Sequence, residues 1–69
     1  MYLYFFSFTH MEDNVVLPGN TALNTNIKVT DLDEPEDVML WLKNVEKHIE
    51  NVGRFRNVVI SKFELLHES

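Results

Sequence analysis

The sequence predicts an α+β domain in which three antiparallel strands form one sheet and a single helix packs on one face of it. Segments rich in aromatic and β-branched residues lie near both ends of the chain, at residues 1–8 and 57–66. A shorter alternating segment follows the first of these, and an amphipathic segment at residues 38–52 has apolar residues at helical spacing. The predicted element order is therefore strand, strand, helix, strand.

The first strand is predicted at residues 1–8, where apolar side chains fall on both faces. This segment lacks the basic start and small-residue cleavage site of a secretory signal, and it is too short to cross a bilayer. A strand that is apolar on both faces fits the centre of a sheet. We therefore expect it to have a neighbour on each side.

The second strand is predicted at residues 21–30, after a turn at the Pro-Gly-Asn sequence of residues 18–20. Leu23, Ile27 and Val29 would share one face of this strand, and polar residues would occupy the other. This pattern is typical of an outer strand with one buried face.

The helix is predicted to begin within residues 31–37, which include five acidic residues. Asp33 could cap it with Glu36 as the reciprocal residue, Pro35 is tolerated in the first turn, and Gly53 could end it. The stripe expected to face the sheet comprises Val38, Trp41, Leu42, Val45, Ile49 and Val52. For Trp41 within this stripe, core packing is favoured over a role as a binding anchor.

The last strand is predicted at residues 57–66, with Val59, Phe63 and Leu65 on one face. The opposite face would carry Val58, Ile60 and Leu66. A right-handed crossing of the helix places this strand beside the first, which gives the sheet order 2-1-3. At 69 residues the chain is expected to form a single domain, residues 1–69.

One helix can cover only one face of a three-stranded sheet, so an apolar face is expected to remain open. A second copy of the chain could bury such a face, which predicts a homodimer. Leu40 lies away from the main helical stripe and would join the interface. The predicted dimer interface consists of Tyr2, Tyr4, Phe6, Phe8 and Leu40.

Composition narrows the possible functions. Eleven acidic and six basic residues give a net charge of -5, which argues against direct binding to nucleic acid or to an anionic membrane. The absence of cysteine excludes disulfides and favours a cytoplasmic protein. Neither the serines nor the two glycines lie in a catalytic or phosphate-binding motif. We therefore expect a protein that is not an enzyme and has no cofactor.

A metal site is not expected either, because no two of His10, His48 and His67 are three or four residues apart. Arg54 and Arg56 flank Phe55. This group could stack on a base, or its arginines could pair with acidic residues across a dimer.

The negative charge is concentrated in one region. Residues 31–52 have a net charge of -5, whereas residues 1–30 and 53–69 contribute -1 and +1. The acidic residues could simply form a solvated helix start. Alternatively, they could imitate the phosphates of a DNA duplex and bind a basic protein. The predicted partner-binding residues are Asp31, Asp33, Glu34, Glu36, Asp37, Glu46 and Glu50.

Several short segments together resemble short open reading frames of phages that infect Gram-positive bacteria. They are Ser7-Phe8, Gly19-Asn20, Asp37-Val38, Asn57-Val-Val-Ile60 and Phe63-Glu-Leu-Leu66. In size and charge the chain is similar to phage host-takeover proteins, including acidic inhibitors of the nucleoid protein HU.

The resemblance implies an inhibitor that occupies the DNA-binding surface of a basic host protein by DNA mimicry. Its location would be the host cytoplasm, with the nucleoid reached through that partner. The alternative is an interaction module that uses the aromatic sheet face, such as an anti-defence protein acting on a host nuclease.

Overall fold

The computed structural model describes residues 1–69 and confirms the predicted element order. Strand β1 spans Tyr2–Glu12, β2 spans Val15–Thr25, helix α1 spans Pro35–Gly53 and β3 spans Arg56–Glu68. A short 3-10 turn at Val29–Asp31 lies between β2 and α1. The three strands form one antiparallel sheet in the predicted order β2-β1-β3.

The core lies between α1 and one face of β1. Tyr4, Phe6 and Phe8 alternate along β1 and are at most 2% exposed. The rings of Tyr4 and Phe63 meet the indole of Trp41 at centroid distances of 5.1 and 5.4 Å, both edge to face. This geometry suits the ring quadrupoles and confirms that Trp41 packs in the core. The remaining buried residues are Val45, Ile49 and Val58.

The first chain reversal lies earlier than predicted. It occurs at Asp13 and Asn14, whose φ angles of 50° and 65° are those of a two-residue hairpin turn. β2 then runs straight through residues 18–20, so the predicted turn there is wrong. Ile27 and Val29, which were expected in the second strand, follow its end at Thr25.

Pro18 and Gly19 are accommodated within β2 for separate reasons. In a two-residue hairpin the flanking residues, Glu12 and Val15, exchange hydrogen bonds, and such pairs alternate along the ladder. Pro18 opposite Thr9 therefore lies in a pair without hydrogen bonds, and its nitrogen points away from β1. Gly19 lies opposite Phe8, and a Cβ there would lie 2.7 Å from the Phe8 ring.

Both helix ends differ from the predicted capping. The N-cap is Glu34 and forms no side-chain cap hydrogen bond, so the Asp33–Glu36 capping box is not formed. At the other end Arg54, with a φ of 57°, takes the left-handed conformation expected of a glycine cap. Gly53 is instead helical, and the ring of Phe55 occupies the space where a Cβ would be.

Register shifts in β3 alter the predicted faces of the last strand. Ile60 pairs with Phe8 and Lys62 with Ser7, which leaves Ser61 as an extra residue. Such a bulge reverses the alternation beyond it. Consequently Phe63 lies on the same side as Val58 and Ile60, and these residues contribute to the core. No helix in the structure combines the length and the hydropathy needed to cross a membrane.

Candidate functional site

Five carboxylates lie at one end of the molecule, between the 3-10 turn and the first turn of α1. We call this region, residues 31–37, the acidic end. All five are exposed, and Glu36 and Asp37 lie in the first helical turn, where the helix dipole favours negative charge. The structure therefore brings together the first part of the predicted partner-binding set: Asp31, Asp33, Glu34, Glu36 and Asp37.

No basic side chain neutralises these carboxylates through an ion pair. The salt bridge in the structure joins Lys28 Nζ to Glu68 Oε1, at 2.7 Å. The hydrogen bond to Glu68, together with its charge, raises the pKa of the Lys28 ammonium. Lys28 therefore forms its ion pair with the end of β3, and its charge also interacts with that of Asp31 without a salt bridge between them.

Core contacts fix the position of the acidic end. The backbone N–H of Val29 donates to the Tyr4 hydroxyl at 2.9 Å, which connects the 3-10 turn to the core. Leu32 is half-buried and packs against the core between exposed acidic neighbours. The acidic residues are therefore presented from a segment attached to the core at two points.

Glu46 and Glu50, the other two predicted partner-binding residues, hydrogen-bond the backbone of β3. Glu46 Oε2 accepts a hydrogen bond from the Ile60 N–H at 2.9 Å. Glu50 Oε2 accepts one from the Val58 N–H at 3.0 Å. Both N–H groups lie on the outer edge of β3, so these carboxylates brace α1 against that edge. Their predicted membership of a partner-binding surface stays a prediction, and the structure gives both carboxylates a role in packing α1 against β3.

The predicted dimer interface is wrong for three of its four aromatic residues, Tyr4, Phe6 and Phe8. Tyr4, Phe6 and Phe8 face α1 and are buried, and Tyr2 is half-buried. Tyr4, Phe6 and Phe8 cannot meet a second copy unless the helix leaves the sheet. Leu40, the fifth predicted residue, is 59% exposed on the helix surface.

The open face of the sheet is less aromatic than expected. Along β1 it carries Leu3, Phe5, Ser7 and Thr9, all half-buried between the flanking strands. Phe5 is the single aromatic residue among these four and lies between Ala22 on β2 and Glu64 on β3. This face is therefore a mixed surface with one central ring.

The Arg-Phe-Arg sequence after the helix does not present its ring for base stacking. The Phe55 ring packs against the rings of His10 and Phe8, at centroid distances of 4.4 and 5.4 Å. Arg54 and Arg56 are exposed at the end of the molecule opposite the acidic end. The structure contains no group of three or more His, Asp or Glu side chains placed to hold a metal ion.

Two features were not identified from the sequence: the braced edge of β3, and the unbraced outer edge of β2. The second adjoins a groove of about 440 Å³ between β2 and α1, lined in part by Leu23, Ile27 and Trp41. A spacing of four residues between Glu46 and Glu50 on a helix flank was the available signal for the brace, because these positions share one helix face.

Comparison of the chain with protein-family models, with curated proteins and with solved structures found no match.

Proposed function

We propose that this protein is a stoichiometric inhibitor whose acidic end binds the DNA-binding surface of a basic protein and blocks access of DNA. The observation that carries the proposal is the set of five exposed carboxylates at one end of the molecule, none of which forms a salt bridge. No catalytic step and no cofactor belong to this function.

Charge density supports a resemblance to DNA. Duplex DNA carries one negative charge about every 1.7 Å along its axis, and basic DNA-binding surfaces are adapted to such closely spaced anions. The acidic end has five carboxylates within seven residues. A surface of this kind would attract a basic partner over long range and would lose affinity as salt is added.

Attachment to the core supports the same proposal. A flexible acidic tail would lose conformational entropy on binding, whereas a segment held by the Tyr4 hydroxyl and by Leu32 has lost much of it on folding. The proposed binding residues are Asp31, Asp33, Glu34, Glu36 and Asp37. Glu46 and Glu50 are omitted because they hydrogen-bond β3.

The partner class is a basic protein that binds duplex DNA, and the nucleoid protein HU is the example named by the resemblance to phage proteins. Under this proposal the chain acts in the cytoplasm of a bacterial host and reaches the nucleoid through its partner. The alternative that uses an aromatic sheet face has less support, because Tyr4 and Phe6 are buried in the core.

The test is capture of partners from a Gram-positive bacterial lysate on the immobilised chain, with elution by rising salt or by duplex DNA. We expect a basic DNA-binding protein that duplex DNA releases. The triple variant Asp33→Asn/Glu34→Gln/Glu36→Gln should lower affinity for that protein about tenfold or more at low salt.

The matched control is Glu12→Gln/Asp13→Asn/Glu64→Gln, which changes the net charge equally but outside the acidic end. This control should bind as the unmodified chain does, because local charge density rather than net charge determines recognition. Equal losses in both variants, or recovery of a neutral partner that resists high salt, would refute the proposal.

A further inference from the structure

The outer edge of β2 has unbonded backbone groups. Pro18 lies in a pair without hydrogen bonds to β1, and such pairs alternate along an antiparallel ladder. Residues 20, 22 and 24 therefore also form no backbone hydrogen bonds to β1. Asn20, Ala22 and Asn24 therefore direct their N–H and C=O groups outward. No hydrogen bond within the chain reaches these N–H groups.

β2 also differs from the rest of the chain in charge. None of its 11 residues is charged, whereas the chain as a whole has a net charge of -5. Exposed edge strands are commonly protected by charged side chains, and β2 has none. Two copies of an acidic protein would repel each other least where they meet along an uncharged strand.

We propose that this edge binds a second copy of the chain, with β2 paired antiparallel to β2 about a twofold axis at Ala22. Ala22 then lies opposite its own copy, and Asn20 lies opposite Asn24. These pairs are of the hydrogen-bonded type, so they contribute six backbone hydrogen bonds across the interface.

The position of Pro18 agrees with this register. Pro18 would lie opposite residue 26, which is beyond the end of β2 at Thr25. The missing N–H of the proline therefore removes no hydrogen bond from the interface. A register shifted toward the hairpin would place Pro18 within the paired region and lose a donor there.

The arrangement closes at two copies. The resulting six-stranded sheet has β3 at both outer edges, and there the Val58 and Ile60 N–H groups are already bonded by Glu50 and Glu46. Antiparallel pairing also directs the two acidic ends in opposite directions along the sheet, which keeps like charges apart. This interface is independent of the proposed function and leaves the residues of the acidic end free.

The oligomeric state tests the proposal. At micromolar concentration we expect a mass twice the 8.1 kDa of the chain by light scattering. Ala22→Lys places two like charges opposite each other and should weaken association about tenfold or more. Val59→Lys is the matched control, since it adds the same charge at an exposed position on the same sheet face and should leave the dimer unchanged.

Cysteine crosslinking tests the register, because the chain has no cysteine of its own. Opposite residues in a hydrogen-bonded pair have Cα atoms about 5.5 Å apart, within the range for a disulfide. Ala22→Cys should therefore form a covalent dimer with a mild oxidant such as diamide. Asn20→Cys should not, because its two copies would lie about 13 Å apart along the strands.

A mass of 8.1 kDa for the unmodified chain would overturn the proposal and leave the edge to a strand from another protein. A dimer that Ala22→Lys does not weaken would also overturn it, as would equal crosslinking of the two cysteine variants. Circular dichroism of each variant establishes that the fold is retained.

Discussion

The two outer strands of the sheet differ in whether side chains bond the outward N–H groups of their free edges. On β3, carboxylates from α1 accept hydrogen bonds from two outward N–H groups, and four of the 13 residues are charged. On β2 no side chain accepts a hydrogen bond from the outward N–H groups, and none of the 11 residues is charged. The sheet thus has one edge that is partly protected within the chain, at Val58 and Ile60, and one edge available for pairing.

This difference shows how a short chain can combine stability with controlled association. Only seven of the 69 residues are buried, so two hydrogen bonds at the sheet edge add usefully to the small apolar core that joins α1 and β3. If both edges were open, copies could add without limit. With β3 protected, pairing through β2 ends at two copies.

Removal of the brace should have the largest effect. The double variant Glu46→Ala/Glu50→Ala leaves the N–H groups of Val58 and Ile60 without partners. Hydrogen bonds to charged groups contribute about 1.5 to 3 kcal/mol each when buried, and these are part-buried. We expect the free energy of unfolding in urea to fall by about 2 to 3 kcal/mol for the pair.

The same variant should associate beyond two copies, because both edges of the sheet are then open. Lys43→Ala/Lys47→Ala is the matched control, since both lysines are exposed on the same helix and form no ion pair. Glu46→Gln/Glu50→Gln keeps an acceptor oxygen on each side chain and should lose less stability. If Glu46→Ala/Glu50→Ala were as stable as Lys43→Ala/Lys47→Ala, the two hydrogen bonds from the glutamates to β3 would contribute nothing to stability.

A second prediction concerns the two faces of β2. Gly19→Ala would place a Cβ 2.7 Å from the ring of Phe8, which is itself buried and cannot move freely. Overpacking of this kind costs about 1 to 3 kcal/mol, and we expect a loss of about 1.5 kcal/mol in urea unfolding.

The comparison for Gly19→Ala is Asn20→Ala, the next position along the strand, where the side chain lies exposed on the open face. It should change stability by less than about 0.5 kcal/mol. A Gly19→Ala variant as stable as the unmodified protein would mean that Phe8 has room to shift and that the glycine serves another purpose.

The sequence was sufficient to predict the fold class because its signals there are strong and independent. Aromatic and β-branched segments indicated the strands, and the spacing from Val38 to Val52 indicated the helix. The position of the hairpin was missed because Pro18-Gly19-Asn20 is a stronger turn signal than Asp13-Asn14. Pro18 is nonetheless tolerated in a strand whose edge has no partner within the chain.

The site was harder to predict because counting charges does not show where side chains point. The acidic residues before the helix are exposed as a group, whereas Glu46 and Glu50 turn to the edge of β3. The sequence also did not indicate which face of β1 the helix covers, since Phe5 on one face and Phe6 on the other are both aromatic. Only the packing of α1 distinguishes them.

The smallest effect is expected where β2 leaves the sheet. Tyr4→Phe removes the hydroxyl that accepts a hydrogen bond from Val29 N–H, and it leaves the ring packing with Trp41 intact. A part-buried hydrogen bond contributes about 1 kcal/mol, so unfolding free energy should fall by about that amount. The Val29 amide should exchange with solvent several-fold faster in the variant, whereas the braced amides of Val58 and Ile60 should keep their protection. Equal acceleration at all three amides would show that each exchanges through global unfolding, and the acidic end would then not depend locally on this hydrogen bond for its position.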